Sequence, residues 1–154
     1  MILTQKETTL LKDIKKQEQL CVDKYLKCEE EAYDPQLKSL FGAIADNEKN
    51  HLETITKILD GTVPSLKSDS TSDQVPDSFD KVYSSTMDKD EMEHDKYLCS
   101  DTLATEKHVA TVYNTSIFEC ADENVRQALN HIQAEEQHHG KVLYDYMSTN
   151  GMYQ

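Results

Sequence analysis

Tryptophan is absent from this sequence, and glycine and proline are scarce, with four and three residues respectively in 154. A β-rich fold with many turns uses more glycine and proline. The scarcity of these two residues therefore argues against such a fold and favours long amphipathic helices. Apolar residues make up 37% of the chain and charged residues 29%. The composition therefore predicts a single all-α domain over residues 1–154, in which each helix buries one stripe.

Basic residues are also few: 16 Lys and Arg against 29 Asp and Glu give a formal net charge of −13. No basic cluster is available to neutralise phosphates, which argues against nucleic acid or an anionic membrane as a partner. No apolar run approaches the roughly 20 residues of a membrane span. The first seven residues already carry charges, unlike a signal peptide. We therefore expect an intracellular protein.

The four cysteines, Cys21, Cys28, Cys99 and Cys120, include no C-x-x-C pair. In a continuous helix Cys21 and Cys28 would lie about 10 Å apart along the axis, too far for a disulfide. We expect reduced, partly buried thiols.

A first pair of helices is predicted within residues 4–60, because apolar residues recur there at helical spacing. The first helix runs from about residue 4 to 33. Asp34 then reads as a helix cap followed by Pro35 in the first turn of the second helix. Gly61 follows that helix and is a natural stop.

A second pair of helices is predicted within residues 87–148, beginning near Met87 and again after a capping Asp122. Residues 61–86 connect the two pairs; they are rich in Ser and Asp, and the part from Ser78 to Thr86 allows a short helix. Short turns within each pair force antiparallel neighbours. One long connection between the second and third helices completes the pattern of a ferritin-like antiparallel four-helix bundle with a long crossover.

The two predicted helix pairs are related by an internal repeat. Residues 18–51 align with residues 106–139 without a gap, at an offset of 88 residues, and seven of the 34 positions are identical. The identical pairs are Glu18/Glu106, Tyr25/Tyr113, Glu31/Glu119, Asp34/Asp122, Ile44/Ile132, Glu48/Glu136 and His51/His139. Most of these positions are polar, yet three of the pairs, Glu18/Glu106, Glu48/Glu136 and His51/His139, fall on the stripes that face the core.

Buried carboxylates are strongly disfavoured unless they are paired or coordinate a cation. Two divalent cations would balance four carboxylates, with neutral imidazoles completing the coordination. In each E-x-x-H sequence the two side chains project from one side of the helix and can reach the same ions. This pattern predicts a two-metal site for Fe or Mn in the bundle interior. Its predicted ligands are Glu18, Glu48, His51, Glu106, Glu136 and His139.

Other readings of these residues remain open. A metal-free bundle could have inherited its polar layer by duplication. Tyr25 and Tyr113 fit either ordinary core aromatics or hydroxyl donors to a ligand carboxylate. Glu135 and His138 also have E-x-x-H spacing, but they do not continue the apolar stripe of their helix, so we assign them to its flank. Three histidines without a repeat partner are expected on the surface: His94, His108 and His131.

The predicted ligand pattern resembles rubrerythrins and bacterioferritins. Glu18 with Tyr25, followed by the run 46–51, is similar to their first half, and Glu106 with Tyr113, followed by Glu136 and His139, to their second. The resemblance implies two irons that react with dioxygen or peroxide. This chain lacks the C-x-x-C pairs of a rubredoxin-type domain, and it has Val109 where rubrerythrins carry an additional Glu.

The C-terminal half carries a second set of motifs: Tyr113-Asn114, Glu119-Cys120-Ala121-Asp122, Val125-Arg126, Glu136-Gln137-His138-His139, Tyr144–Met147 and Gly151-Met152-Tyr153. These motifs resemble the coat F family of endospore coat proteins, down to the tail of residues 149–154, where Met152 replaces an expected Trp. It implies a ferritin-like protein made in the mother-cell cytoplasm and placed in the spore coat. The implied partners are further copies of the chain or other coat proteins.

Two functional hypotheses follow from these resemblances. One is a spore coat protein of the coat F type with a di-iron or di-manganese carboxylate site. The alternative is a di-iron oxidase or a peroxide-scavenging, rubrerythrin-like oxidoreductase, so the sequence leaves open whether the protein is an enzyme. Metal sequestration without turnover is a third use of the same ligands, and ligand type does not separate Fe from Mn.

Overall fold

The computed structural model describes every residue except 66–73, 85–88 and 154. The described residues form four helices: α1 (Gln5–Glu31), α2 (Pro35–Leu59), α3 (Lys89–Glu119) and α4 (Glu123–Thr149). No β-strand occurs among them, so the predicted all-α class is confirmed. None of the helices in this part of the chain combines the length and the hydropathy that a membrane span requires.

Polar side chains cap the beginnings of three helices. Thr4 and Glu7 form a reciprocal capping box at the start of α1, in which each side chain accepts from the other's backbone N–H. The Asp34 carboxylate accepts from the backbone N–H of the second residue of α2 at 3.0 Å, and Asp122 caps α4 through Val125 N at 3.0 Å. The predicted Asp caps are therefore confirmed.

Glycines with a positive φ end α2 and α4. Gly61 has φ +95° and Gly151 has φ +66°, a backbone region that other residues rarely adopt. After Gly151 the chain folds back, so that Met152 N donates to Met147 O at 2.8 Å and the Met152 side chain is buried in the core. Met152 thus packs the chain after α4 onto the bundle.

The helices pack as a bundle in which α1 contacts α2 and α3, and α4 contacts α3 and α2. Contacts between α1 and α3 run antiparallel. The Glu7 carboxylate accepts from Ala121 N at 2.8 Å at one end, and at the other end Tyr33 N donates to Asp95 at 2.9 Å. The α1–α2 turn and the α3–α4 turn therefore lie at opposite ends of the bundle.

Two apolar clusters fill the interior. One includes Phe41 and Leu143, and the other includes Leu11 and Leu129. The helical spacing of the sequence predicts which residues face inward, and every residue of that set is buried. These residues are Leu11, Ile14, Glu18, Cys21, Tyr25, Cys28, Ala32, Leu37, Phe41, Ile44, Glu48, His51, Ile55, Ile58, Thr102, Glu106, Val109, Tyr113, Cys120, Val125, Leu129, Ile132, Glu136, His139, Leu143 and Tyr146. All four cysteines lie in the described residues and are free and buried, as predicted.

The short helix allowed over Ser78 to Thr86 is not formed in residues 78–84, while Thr86 lies outside the described residues. The backbone N–H groups of Val82 and Tyr83 donate instead to Asn150 Oδ1, at 2.8 and 3.2 Å. These bonds hold the segment against the end of α4 in a non-helical conformation. The sequence allowed a helix here because a local pattern carries no information about this tertiary contact.

Candidate metal centre

The bundle brings all six predicted ligand residues into one buried layer. α1 provides Glu18 and α3 provides Glu106, while α2 and α4 each provide a Glu and a His three residues apart, which places both side chains on the same side of the helix. All six residues are at most 2% exposed. On α2, α3 and α4 the layer lies between the two apolar clusters.

The six residues form two overlapping groups that could each hold a metal ion. One group is Glu18, Glu48, His51 and Glu136, and the other is Glu48, Glu106, Glu136 and His139. Within each group, one donor atom from every residue lies within 4.8 Å of the others. Glu48 and Glu136 belong to both groups, so they occupy the shared centre of the layer.

Each histidine contacts the glutamate of the other half of the repeat. His51 Nδ1 lies 2.9 Å from Glu136 Oε1, and His139 Nδ1 lies 3.1 Å from Glu48 Oε1. The two rings stack with centroids 5.9 Å apart. In both rings Nδ1 therefore faces the carboxylates, and Nε2 is left to face the surrounding residues.

The two predicted tyrosines donate hydrogen bonds to carboxylates of the layer. Tyr25 on α1 donates to Glu106 on α3, and Tyr113 on α3 donates to Glu18 on α1. Both tyrosines are fully buried. These bonds orient the outer carboxylates, which is the role that the hydroxyl-donor reading gave them.

Burial and mutual repulsion set the protonation of the carboxylates. Burial raises the pKa of Glu18 well above its usual range, and the neighbouring Glu48 charge raises it further. Burial and the charge of Glu106 do the same for Glu136. Burial also disfavours the charged form of Glu48, but hydrogen bonds from His139 and His51 hold its pKa well below its usual range.

The surrounding carboxylates favour protonated imidazoles. Burial lowers the pKa of both histidines, but the carboxylates outweigh it and raise the pKa well above 6.5. Glu135 and then Glu48 contribute most for His51, and Glu106 contributes most for His139. Without cations, protons on the glutamates and histidines of the layer thus balance part of its negative charge.

Several buried polar atoms of the layer have no hydrogen-bond partner. Among the described residues these atoms are Glu18 Oε2, Glu106 Oε2, Glu136 Oε2 and His51 Nε2. Buried carboxylate oxygens are rarely left unpaired, and each such oxygen costs free energy. Three unpaired oxygens among convergent carboxylates and imidazoles fit a site that can hold divalent cations, because Fe and Mn accept this mixed donor set.

The assignment of Glu135 to the helix flank was wrong, because this residue is buried behind the layer. Its carboxylate accepts from Asn47 Nδ2 at 2.6 Å and lies 2.6 Å from His131 Nε2 and 3.7 Å from His51 Nε2. His139 Nε2 in turn lies 2.6 Å from Asn47 Oδ1. The repeat contained a signal for this pair, since Asn47 and Glu135 occupy equivalent positions 88 residues apart.

The remaining histidines lie outside the layer. His108 is exposed, as predicted, and His138 is half-buried on the flank of α4. His94 is half-buried and packs edge-on against Tyr33, with ring centroids 5.2 Å apart. His131 is also half-buried and pairs with Glu135. His94 and His131 are therefore only partly exposed, whereas both were expected on the surface.

Comparison with known protein families gives one result for the C-terminal half. Residues 94–154 match the Coat F domain. The matched segment is less than half of the chain and comprises α3 from His94 onward, α4 and the tail. It contains Glu106, Glu136 and His139, and the match supports the resemblance to the coat F family. No curated protein and no solved structure gives a significant match to the chain.

Proposed function

We propose that the protein is a ferritin-like spore coat protein of the coat F type that binds two iron or manganese ions between its four helices. The observation that carries the metal site is the pair of overlapping four-residue groups at the centre of the bundle. Each group draws on three helices, and the two groups together draw on all four, so bound ions would also tie the helices together.

The two groups suggest how the ligands would be shared. Glu48 and Glu136 belong to both groups and would bridge the two ions. Glu18 with His51 would complete one position, and Glu106 with His139 the other. Four carboxylates would balance the charge of two divalent ions, and each imidazole would bind through Nδ1, the nitrogen that faces the carboxylates. Bound iron would supply redox chemistry towards dioxygen or peroxide.

We propose that the four helices are connected in the ferritin-like order. The antiparallel contacts of α1 with α3 place the start of α3 beside the end of α1, where Asp95 binds the α1–α2 turn. α2 runs back from that turn, so its end at Leu59 and the start of α3 at Lys89 lie at opposite ends of the bundle. We accordingly propose one domain of residues 1–154, built from two helix pairs and a crossover.

The coat assignment rests on the Coat F match over residues 94–154. It implies synthesis in the mother-cell cytoplasm, later residence in the spore coat, and association with copies of itself or with other coat proteins. A fluorescent fusion expressed in a sporulating cell tests this directly. We expect the signal to surround the forming spore, and a signal that stays dispersed throughout sporulation would contradict the assignment.

The metal site is tested by loading chelator-treated protein anaerobically with Fe(II) or Mn(II) and measuring the retained metal. Wild-type protein should retain metal, and the Glu48→Gln/Glu136→Gln variant should lose it, because both shared ligands are altered. A Glu30→Gln/Glu93→Gln variant provides the matched control, since both of these residues are exposed on α1 and α3. Equal retention in all three proteins would place the metal elsewhere.

A di-iron oxidase or peroxide scavenger is the second candidate, and one cavity favours it. A cavity of about 350 Å³ between α3 and α4 is lined by Glu106 and Glu136, with Gly140 and Tyr153 among its other walls. It would let a small oxidant approach the layer. Fe(II) oxidation by peroxide, measured by absorbance, should then be fast in wild type and lost in the Glu48→Gln/Glu136→Gln variant; equal rates would reject this candidate.

A further inference from the structure

The two histidines of the metal layer have different partners behind them. His139 Nε2 lies against Asn47, whereas His51 Nε2 faces Glu135. Asn47 and Glu135 are equivalent in the repeat, but they differ in charge and in their distance from the histidine, 2.6 Å for Asn47 and 3.7 Å for Glu135. The layer is symmetric in its six proposed ligands and asymmetric in the groups that support them.

The orientation of Asn47 follows from the chemistry of its neighbours. A carboxylate can only accept, so Asn47 presents Nδ2 to Glu135 Oε2, at 2.6 Å. The amide oxygen of Asn47 is thereby left to accept from His139 Nε2–H, at 2.6 Å. This bond fixes the proton of His139 on Nε2 and leaves Nδ1 to face Glu48 and Glu106.

Behind His51 the supporting group carries a negative charge. Glu135 Oε1 lies 3.7 Å from His51 Nε2, and its other oxygen is held by Asn47. His131, whose side chain is 34% exposed, lies 2.6 Å from the same Oε1 atom. The carboxylate is thus fixed in place beside a buried imidazole, and no other partner of His51 Nε2 is present among the described residues.

We propose that this difference makes the two metal positions unequal: the position served by Glu18 and His51 binds a divalent ion more tightly and fills first. The inference rests on the proposed two-metal site. The Glu135 charge, 3.7 Å behind the His51 ring, polarises the imidazole and adds negative charge near the ion. Behind His139, the amide of Asn47 supplies only a neutral hydrogen-bond acceptor.

Calorimetric titration of chelator-treated, full-length protein with Mn(II) at one neutral pH tests the proposal. Wild-type protein should show two classes of site whose affinities differ about tenfold or more. Glu135→Gln keeps the shape of the side chain and removes its charge, so it should weaken the tighter class by about tenfold and bring the two classes together. Glu123→Gln, an exposed neutralisation on the same helix, should change neither class.

Two ligand variants assign the classes to the positions without altering Glu135. Glu18→Gln should remove the tighter class, and Glu106→Gln should remove the weaker one, with far-UV circular dichroism showing that both variants remain helical. Equal affinities in wild type, or loss of the tighter class in Glu106→Gln, would overturn the inference while leaving the two-metal site in place. Failure of wild-type protein to bind any Mn(II) would overturn both.

Discussion

Tyr25 on α1 donates its hydroxyl hydrogen bond to Glu106 on α3, 81 residues further along the chain. The repeat-equivalent pair, Tyr113 and Glu18, makes the same bond in the opposite direction. Each tyrosine therefore supports the carboxylate of the other half. This exchange ties the two helix pairs together through the buried layer itself.

Replacing either tyrosine by phenylalanine should destabilise the metal-free protein. Tyr25→Phe and Tyr113→Phe retain the ring but leave Glu106 or Glu18 with one fewer donor in a buried site. The expected loss is about 1–3 kcal/mol in the free energy of unfolding for each variant, measured by urea denaturation. Tyr33→Phe, at a half-exposed position, is the control and should change the value by less than about 0.5 kcal/mol. Indistinguishable curves for all three variants would count against this role.

The metal-free protein should lose stability as the pH rises above about 6.5. The folded-state pKa values of His51 and His139 lie well above 6.5, so the stability from their protonation is complete below that pH and is lost through the raised values. The raised pKa values of Glu18 and Glu136 act in the same direction, because unfolding releases their protons. Thermal melts of chelator-treated protein between about pH 6 and pH 9 should show a falling Tm.

Mn(II) should reverse this trend if the layer is a metal site. The ligands must lose their protons to bind an ion, so the stabilisation by Mn(II) should grow over the same pH range. The difference in Tm with and without Mn(II) measures it. A difference that shrinks as the pH rises would contradict coordination by these residues.

Asp95 should contribute to stability at the end of the bundle opposite Glu7. Its buried carboxylate accepts from Tyr33 N at 2.9 Å, from Asp34 N at 3.0 Å and from the Tyr83 hydroxyl. Asp95→Ala leaves these donors unpaired and should cost about 1–3 kcal/mol in the free energy of unfolding. Asp13→Ala, at an exposed position of α1, should fall within about 0.5 kcal/mol of wild type. Similar losses of stability in both variants would show that the hydrogen bonds to Asp95 make no specific contribution to the free energy of unfolding.

The helical stripes could be predicted from the sequence because their spacing is a local property, and each predicted inward residue is buried. The 88-residue repeat led further, to the six residues that the structure brings together. The repeat also extends beyond residues 18–51 and 106–139, the segments over which the two halves were aligned. Glu7 and Asp95 are 88 residues apart and cap the turns at Ala121 and Tyr33, which are again 88 apart.

The parts that could not be predicted depend on contacts between distant segments. Glu135 lies off the apolar stripe of α4, and its burial follows from Asn47 on α2 rather than from helical spacing. Residues 78–84 have a sequence that allows a helix, but Asn150 binds their backbone in another conformation. In both cases the partner lies more than 60 residues away, so a local pattern could not reveal it.

The central claim is that the buried layer holds two metal ions, and the metal content of protein purified without chelator tests it most directly. Elemental analysis of wild-type protein should give about two Fe or Mn per chain. The Glu48→Gln/Glu136→Gln variant should give almost none while remaining helical, because it alters the two residues common to both groups. Negligible metal in wild type, even after anaerobic loading with Fe(II) and Mn(II), would contradict the claim and leave a metal-free bundle with a protonated polar layer.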